Sequence, residues 1–184
     1  MALPVCAVVP AESASELRLG MAGYTFVKLN LAQSLSIMEK LAIPYLCIKD
    51  FQLPMQSSVE EISAFHARLA QHHIVGYAVG PIYMRTRSAI DEAFAYAQRV
   101  GVSLIVGIPD PADLTYISEL CLRYSIRYAI HNHGPEDKVY PNAEVIYRYV
   151  EHLSPWVGIC FDMGHELRDG RDPLLSVARY HDRI

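Results

Sequence analysis

Short, almost uninterrupted apolar runs alternate along the chain with longer stretches whose apolar positions recur every three or four residues. Six runs read as strands: 17–23 (LRLGMAG), 43–48 (IPYLCI), 74–79 (IVGYAV), 102–108 (VSLIVGI), 126–130 (IRYAI) and 157–161 (VGICF). Their starts lie roughly 24 to 31 residues apart, the length of a strand plus a crossover helix. Helical spacing is carried by Leu35, Met38 and Leu41, then by Val59, Ile62, Phe65 and Leu69 behind a capping box at Ser58-Val-Glu-Glu61. It returns at Ile90, Phe94, Ala97 and Val100, and again at Leu114, Ile117, Leu120 and Tyr124. Asn142 is placed to cap a helix turning Val145, Ile146, Tyr149 and Leu153 inward, and Asp172-Pro173 reads as the N-cap and first residue of a last helix. Strands without polar alternation, each followed by a helix, predict a parallel sheet covered by helices.

Two α/β architectures have this pattern. A doubly wound sheet carries a glycine-rich phosphate turn after its first strand, and Gly20-Met-Ala-Gly23-Tyr-Thr-Phe26 lacks both the third glycine and the immediate helix. Polar residues instead follow several different runs: Lys49 and Asp50, Pro81 and Tyr83, Asp110, His131 to His133, and Asp162 to His165. Functional groups spread over many strand ends are the habit of a (β/α)8 barrel, the expected fold. A complete barrel needs about 250 residues and eight strands. The expectation is therefore an incomplete TIM barrel of about six βα units over 17–184, its last two strands missing. Residues 1–16 are read as an N-terminal arm or a secretion-signal remnant, which leaves localisation open between cytoplasm and export. Two open sheet edges favour association, so a homo-oligomer is admitted.

Composition narrows the function. The 184 residues, 52% apolar and 20% charged, suit one ordinary domain. Sixteen basic against twenty acidic side chains give a net charge of −4, against a nucleic-acid partner. No run of about 18 apolar residues is present, so no membrane span is expected. Cys6, Cys47, Cys121 and Cys160 are widely spaced within or beside apolar runs and read as reduced core thiols. Eight histidines call for a metal search.

That search leads to two strand ends. The fifth run closes on His131-Asn-His133-Gly-Pro-Glu136-Asp137, the sixth on Cys160-Phe-Asp162-Met-Gly-His165-Glu166. His131 and His133, two apart, face one side of an extended segment, where Asp162 can meet them from the next strand. Imidazole and carboxylate suit a divalent metal (Mn, Mg, Co or Zn) with positions left for substrate oxygens. The alternative is a pair of histidines satisfied by backbone hydrogen bonds. Lys49 either contacts a substrate hydroxyl or phosphate or belongs to a loop charge pair with Asp50. Tyr83 either lines the pocket or is a turn aromatic, and Asp110 is a rim group or a helix cap. His66, His72, His73 and His181 are assigned to the outer surface, and Arg85 and Arg87 to a solvated loop.

The segment His131 to Glu136, with Gly158-Ile-Cys-Phe-Asp162-Met-Gly-His165-Glu-Leu-Arg168-Asp-Gly-Arg-Asp-Pro173, resembles the sugar phosphate isomerase/epimerase group of the xylose isomerase-like TIM barrels. Leu19-Gly-Met-Ala-Gly-Tyr-Thr-Phe26 and the Gly80-Pro-Ile-Tyr83 turn are similar to the same group. The resemblance implies that Asp162 is a metal ligand and that His165 contacts substrate oxygens beside the metal. It also implies that Glu136 lies near a carboxylate that faces the substrate. His131 stands where the group has a glutamate that binds metal and acts as acid or base, a departure from the pattern. His133 is a further substrate contact or ligand. The group's remaining ligands, a histidine on strand seven and a glutamate on strand eight, would lie beyond Ile184. The implied activity is a metal-dependent sugar (phosphate) isomerase or epimerase that moves a proton beside a ketose carbonyl through a metal-stabilised enediolate, weakened here by the missing strands. An inosose-type dehydratase and a non-catalytic, sugar-binding barrel fragment are the alternatives. A relative of apurinic endonucleases would need a basic DNA face, which a charge of −4 does not offer.

Overall fold

The computed structural model describes residues 17–184; the expected arm 1–16, with Cys6, lies outside the described residues. Six strands, β1 Gly20–Ala22, β2 Tyr45–Ile48, β3 Val75–Met84, β4 Leu104–Pro109, β5 Arg127–His131 and β6 Val157–Cys160, form one sheet. The helices between and after them are α1 Leu31–Lys40, α2 Val59–Gln71, α3 Arg87–Val100, α4 Leu114–Tyr124, α5 Ala143–Val150, α6 Met163–Arg168 and α7 Pro173–Tyr180. All five strand pairings are parallel and follow chain order from β1 to β6. A doubly wound sheet reverses its strand order at a switch point, and this one never does. The six strands form a half-barrel with its helices alternating outside.

Local sequence explains the element limits. Asn30 and Ser58 each accept from the backbone N–H of the third helical residue, whose own side chain reaches back to close a capping box. Thr86, Asn142 and Asp172 cap α3, α5 and α7 with their side chains, and Gly101 ends α3 in the left-handed conformation. Asp110 caps a short 3-10 turn at Pro111–Asp113 rather than α4 itself.

Three details depart from the expected pattern. The Gly80-Pro-Ile-Tyr83 segment, read as a turn, belongs to β3: a register shift around a cis Gly80–Pro81 bond is followed by renewed pairing of Ile82 with Gly107. A Cβ at Gly80, whose φ is 130°, would sit 2.2 Å from the Val106 carbonyl oxygen, so only glycine allows β3 and β4 this approach. The first run shortens to Gly20–Ala22 and passes into a 3-10 turn at Gly23–Phe26. Leu41, Val59 and Tyr149, expected inside, are exposed. Each lies in or beside a terminal turn of its helix.

Period-two alternation splits the interior. On the outer face Leu46, Ile48, Val79, Ile105, Tyr128, Ile130, Val157 and Ile159 join Leu69, Ile90, Phe94, Ile117 and Ile146 in one buried cluster. Each such aliphatic or phenyl side chain contributes roughly 1.5–3 kcal/mol on burial. The opposite face carries a smaller group, Cys47, Ala78 and Val106, flanked by Leu104 and Cys160. Burial pushes the Cys47 thiol up to about 12 and Cys160 up to about 11, so both remain protonated packing groups. Among the described residues no helix is long and apolar enough to cross a membrane.

Candidate functional site

On β5 the buried side chains of Tyr128 and Ile130 face the helices, which turns Ala129 and His131 toward the concave face. Pairing of β5 with β6 sets His131 opposite Cys160, and Asp162 follows two residues later on the same side. The two strand tips therefore meet: His131 Nε2 lies 3.7 Å from Asp162 Oδ2. His165, on the first turn of α6, brings its Nε2 to 4.0 Å from the same oxygen. The other carboxylate oxygen, Oδ1, accepts from the His165 backbone N–H at 2.9 Å and caps α6. Asp162 thus spends one oxygen on its own helix and leaves one for the rim.

Three imidazoles share this space. Ring centroids are 4.6 Å apart for His131 and His133, 5.7 Å for His131 and His165, and 5.8 Å for His133 and His165. Tyr83, from the end of β3, stacks on His133 with centroids 6.1 Å apart, and the Arg85 guanidinium carbon lies over the Tyr83 ring, 5.7 Å from its centroid. Burial holds His131 down at about 4, helped by repulsion from His133 and His165 and opposed by Asp162. His133 is lowered in the same direction, chiefly by burial. The Nδ1 atoms of both rings are buried without a hydrogen-bond partner; that of His133 stands 3.5 Å from Asp137 Oδ2, outside hydrogen-bond geometry.

What fixes the rim lies behind it, in residues that carry no motif. Asn132, between the two histidines, points the other way and is fully buried. Its Oδ1 accepts from the Asp162 backbone N–H at 2.7 Å and its Nδ2 donates to the Asp162 carbonyl at 3.1 Å, which ties the β5 tip to the β6 tip. Glu166, also fully buried, accepts from the Ala143 N–H at 3.0 Å and the Ser176 hydroxyl at 2.6 Å, with the Asn132 amide at 3.4 Å. The available signal was the period-two rule: if His131 and His133 face the pocket, Asn132 faces the helices and needs polar partners there.

The remaining expected site residues are distributed around this centre. Lys49 stands just past β2 on the same rim, its Nζ donating to the Pro81 carbonyl at 2.6 Å and paired with Asp50 at 3.5 Å. Glu136 is exposed and bound to Arg168, not to the His131–Asp162 pair. His66 hydrogen-bonds the Val100 carbonyl and His72 pairs with Glu39, both outside the half-barrel.

Whether a metal fits is a question of donors. Buried neutral imidazoles with unpartnered nitrogens and a carboxylate oxygen turned toward them are the right donor types for a borderline divalent ion. Among the described residues no three His, Cys, Asp or Glu side chains are already arranged to hold one. The residues fit the ion in chemistry, as a pair with further imidazoles at hand.

No protein-family model matches the chain, and no curated protein matches it either. Solved structures do. An uncharacterized protein from Parabacteroides distasonis ATCC 8503 shares 28% identity over 91% of this chain and 72% of its own, with a TM-score of 0.77. The IolI protein, solved with a zinc atom bound, shares 18% identity over 91% of this chain and 70% of its own, with a TM-score of 0.72. A sugar phosphate isomerase/epimerase from Parabacteroides distasonis ATCC 8503 shares 14% identity over 99% of this chain and 77% of its own, with a TM-score of 0.64.

Proposed function

We propose, on the premise that this chain carries the xylose isomerase-like barrel fold, that it acts on a ketose or ketose phosphate as a metal-assisted isomerase or epimerase. The observation that carries this reading is the meeting of His131 and Asp162 on the concave rim, 3.7 Å apart, with two more imidazoles around them. Its support from relatives is a zinc-bound neighbour and a sugar phosphate isomerase/epimerase on the same scaffold.

In this reading His131 and Asp162 hold the divalent ion, whose chemistry when bound is Lewis-acid polarisation of a carbonyl. The imidazole-rich donor set favours zinc or cobalt over magnesium. The protein's own groups do the rest. His165 binds a substrate oxygen beside Asp162. His133, backed by Asp137, is the imidazole within reach to move a proton at the neighbouring carbon. Tyr83 offers an aromatic wall, and Lys49, on the same rim, a cation for a hydroxyl or phosphate at the far end of the sugar.

The test is incubation with ketoses and ketose phosphates in deuterated water with Zn, Co or Mn, followed by NMR. The reading expects deuterium at the carbon beside the carbonyl together with an isomer or epimer. Loss of water from the product would assign the chain to the dehydratase class instead. Tight sugar binding without exchange under any of the three metals would reduce it to a sugar-binding module.

A further inference from the structure

The loop after β5 and the helix after β6 are joined by three side chains. Arg168, the last residue of α6, donates through Nη2 to Glu136 and places Nη1 3.0 Å from His165 Nδ1. His165 and Arg168 are three apart and so share a helix face. A guanidinium carries donors and no acceptor, so the His165 Nδ1 must accept. The proton of the neutral ring then resides on Nε2, the nitrogen that stands 4.0 Å from Asp162 Oδ2. A protonated Nε2 has no lone pair to give a cation.

We propose that Arg168 is a positioning residue that fixes His165 as the Nε2–H tautomer, making it a hydrogen-bond donor to a substrate carbonyl or hydroxyl oxygen and not a metal ligand. The inference rests on the proposed function only for the identity of the substrate oxygen. Glu136 enters the site through this contact, by holding the guanidinium in place.

A second observation points the same way. Gly134 has φ 87°, and a Cβ built there would lie 3.2 Å from Arg168 Nη2, 3.3 Å from His165 Nδ1 and 3.4 Å from Glu136 Oε2. The three polar side chains therefore close over Gly134, a backbone position with no side chain of its own. Alanine there would be strained and would press on all three at once.

The experiment is long-range proton–nitrogen correlation NMR of histidine-labelled protein, metal-free and without substrate, at one neutral pH. His165 is expected to show a protonated Nε2 and an unprotonated Nδ1. Arg168→Met is expected to lose that single-tautomer signature, Arg168→Lys to recover part of it, and Glu136→Gln and Gly134→Ala to shift it partway. On titration with zinc, the ring nitrogens of His131 should move and the Nε2 proton of His165 should persist. A protonated Nδ1 in the unsubstituted protein, an unchanged tautomer in Arg168→Met, or displacement of the Nε2 proton by zinc would each overturn the proposal. The measurement uses neither sugar nor turnover, so it stands or falls separately from the deuterium-exchange test.

Discussion

The rim of the half-barrel has two polar regions, and they differ in what is left over. Between β2 and β3 the candidate cation, Lys49, already donates to the Pro81 carbonyl and pairs with Asp50, while its backbone N–H is taken by Gln52 Oε1. Among the described residues only Gln52 Nε2 is buried without a partner there. Between β5 and β6 the backbone ends are satisfied by Asn132 and Glu166, and the buried Nδ1 atoms of His131 and His133 are not. A polar residue at a strand end is left free to meet a ligand when other groups do the structural bonding for it. At β5–β6 buried residues take over that work; at β2–β3 the lysine does it itself.

Glu166 is the place to break the comparison most severely. Replacing Glu166 by Leu strands the Ala143 N–H and the Ser176 hydroxyl in a dry interior and removes a partner of Asn132. Each buried group left without a partner costs roughly 1–3 kcal/mol, so a loss of about 3 kcal/mol or more is expected in urea unfolding. Lys49→Met should cost less, about 1–2 kcal/mol, because it removes one hydrogen bond from a partly solvated ammonium, to the Pro81 carbonyl, and leaves no buried group of comparable depth unpaired. Equal losses at the two positions would show that neither rim is specially supported.

Acid should separate the rims next. Burial holds His131 at about 4 in the folded chain, against 6.5 for the free side chain. Between those values the unfolded chain binds a proton that the folded one refuses, so stability falls as pH falls through this window. The contribution is fully present above pH 6.5 and lost progressively toward pH 4, amounting to about 3 kcal/mol. His133 and His165 deepen the effect and Asp162 opposes it. His131→Asn should flatten the slope of unfolding free energy against pH in chelator-treated protein, and Lys49→Met should leave it unchanged.

The fold was legible because each signal behind it is local. Strand runs such as 102–108, helix stripes such as Ile90–Phe94–Ala97–Val100, and caps at Ser58, Asn142 and Asp172 all record contacts that the chain makes with its own near neighbours or with a continuous core. The juxtaposition of His131 with Asp162 was legible for the same reason: adjacent parallel strands bring their ends together. The partners of Glu136 and Glu166 were not. Glu166 looks like an ordinary helical carboxylate, and its burial depends on Ala143 and Ser176, which come from two other helices. The Gly80–Tyr83 segment reads as a turn because Gly-Pro marks a break in most chains, whereas here β3 absorbs it as a bulge.

Zinc affinity, measured by competition with a chromophoric chelator, sharpens the contrast at the next level down. Asp162→Ala should weaken binding at least as much as the roughly 10–100-fold that a lost supporting partner costs a metal site. Asn132→Ala, which removes hydrogen bonds to the Asp162 backbone and Glu166, should fall within that same range of about 10–100-fold. Lys49→Met should leave the constant unchanged. A larger loss at Lys49 than at Asn132 would place the ion on the β2–β3 side.

The smallest effect expected is at Tyr83, the residue that spans the two regions. It grows from β3 but stacks on His133 of the β5 loop, and it is 58% exposed. Aromatic pairs contribute about 0.5–1.5 kcal/mol, and an exposed one belongs at the low end, so Tyr83→Ala should cost about 0.5 kcal/mol in thermal unfolding. Tyr83→Phe keeps the ring and should cost nothing measurable there. Sugar binding reads a different quantity. If the ring is a pocket wall, Tyr83→Ala weakens sugar affinity several times more than it weakens the fold, and Tyr83→Phe preserves it. If both variants bind sugar as the unsubstituted chain does, the pocket ends at His133, and the β2–β3 rim, Lys49 included, serves only the barrel.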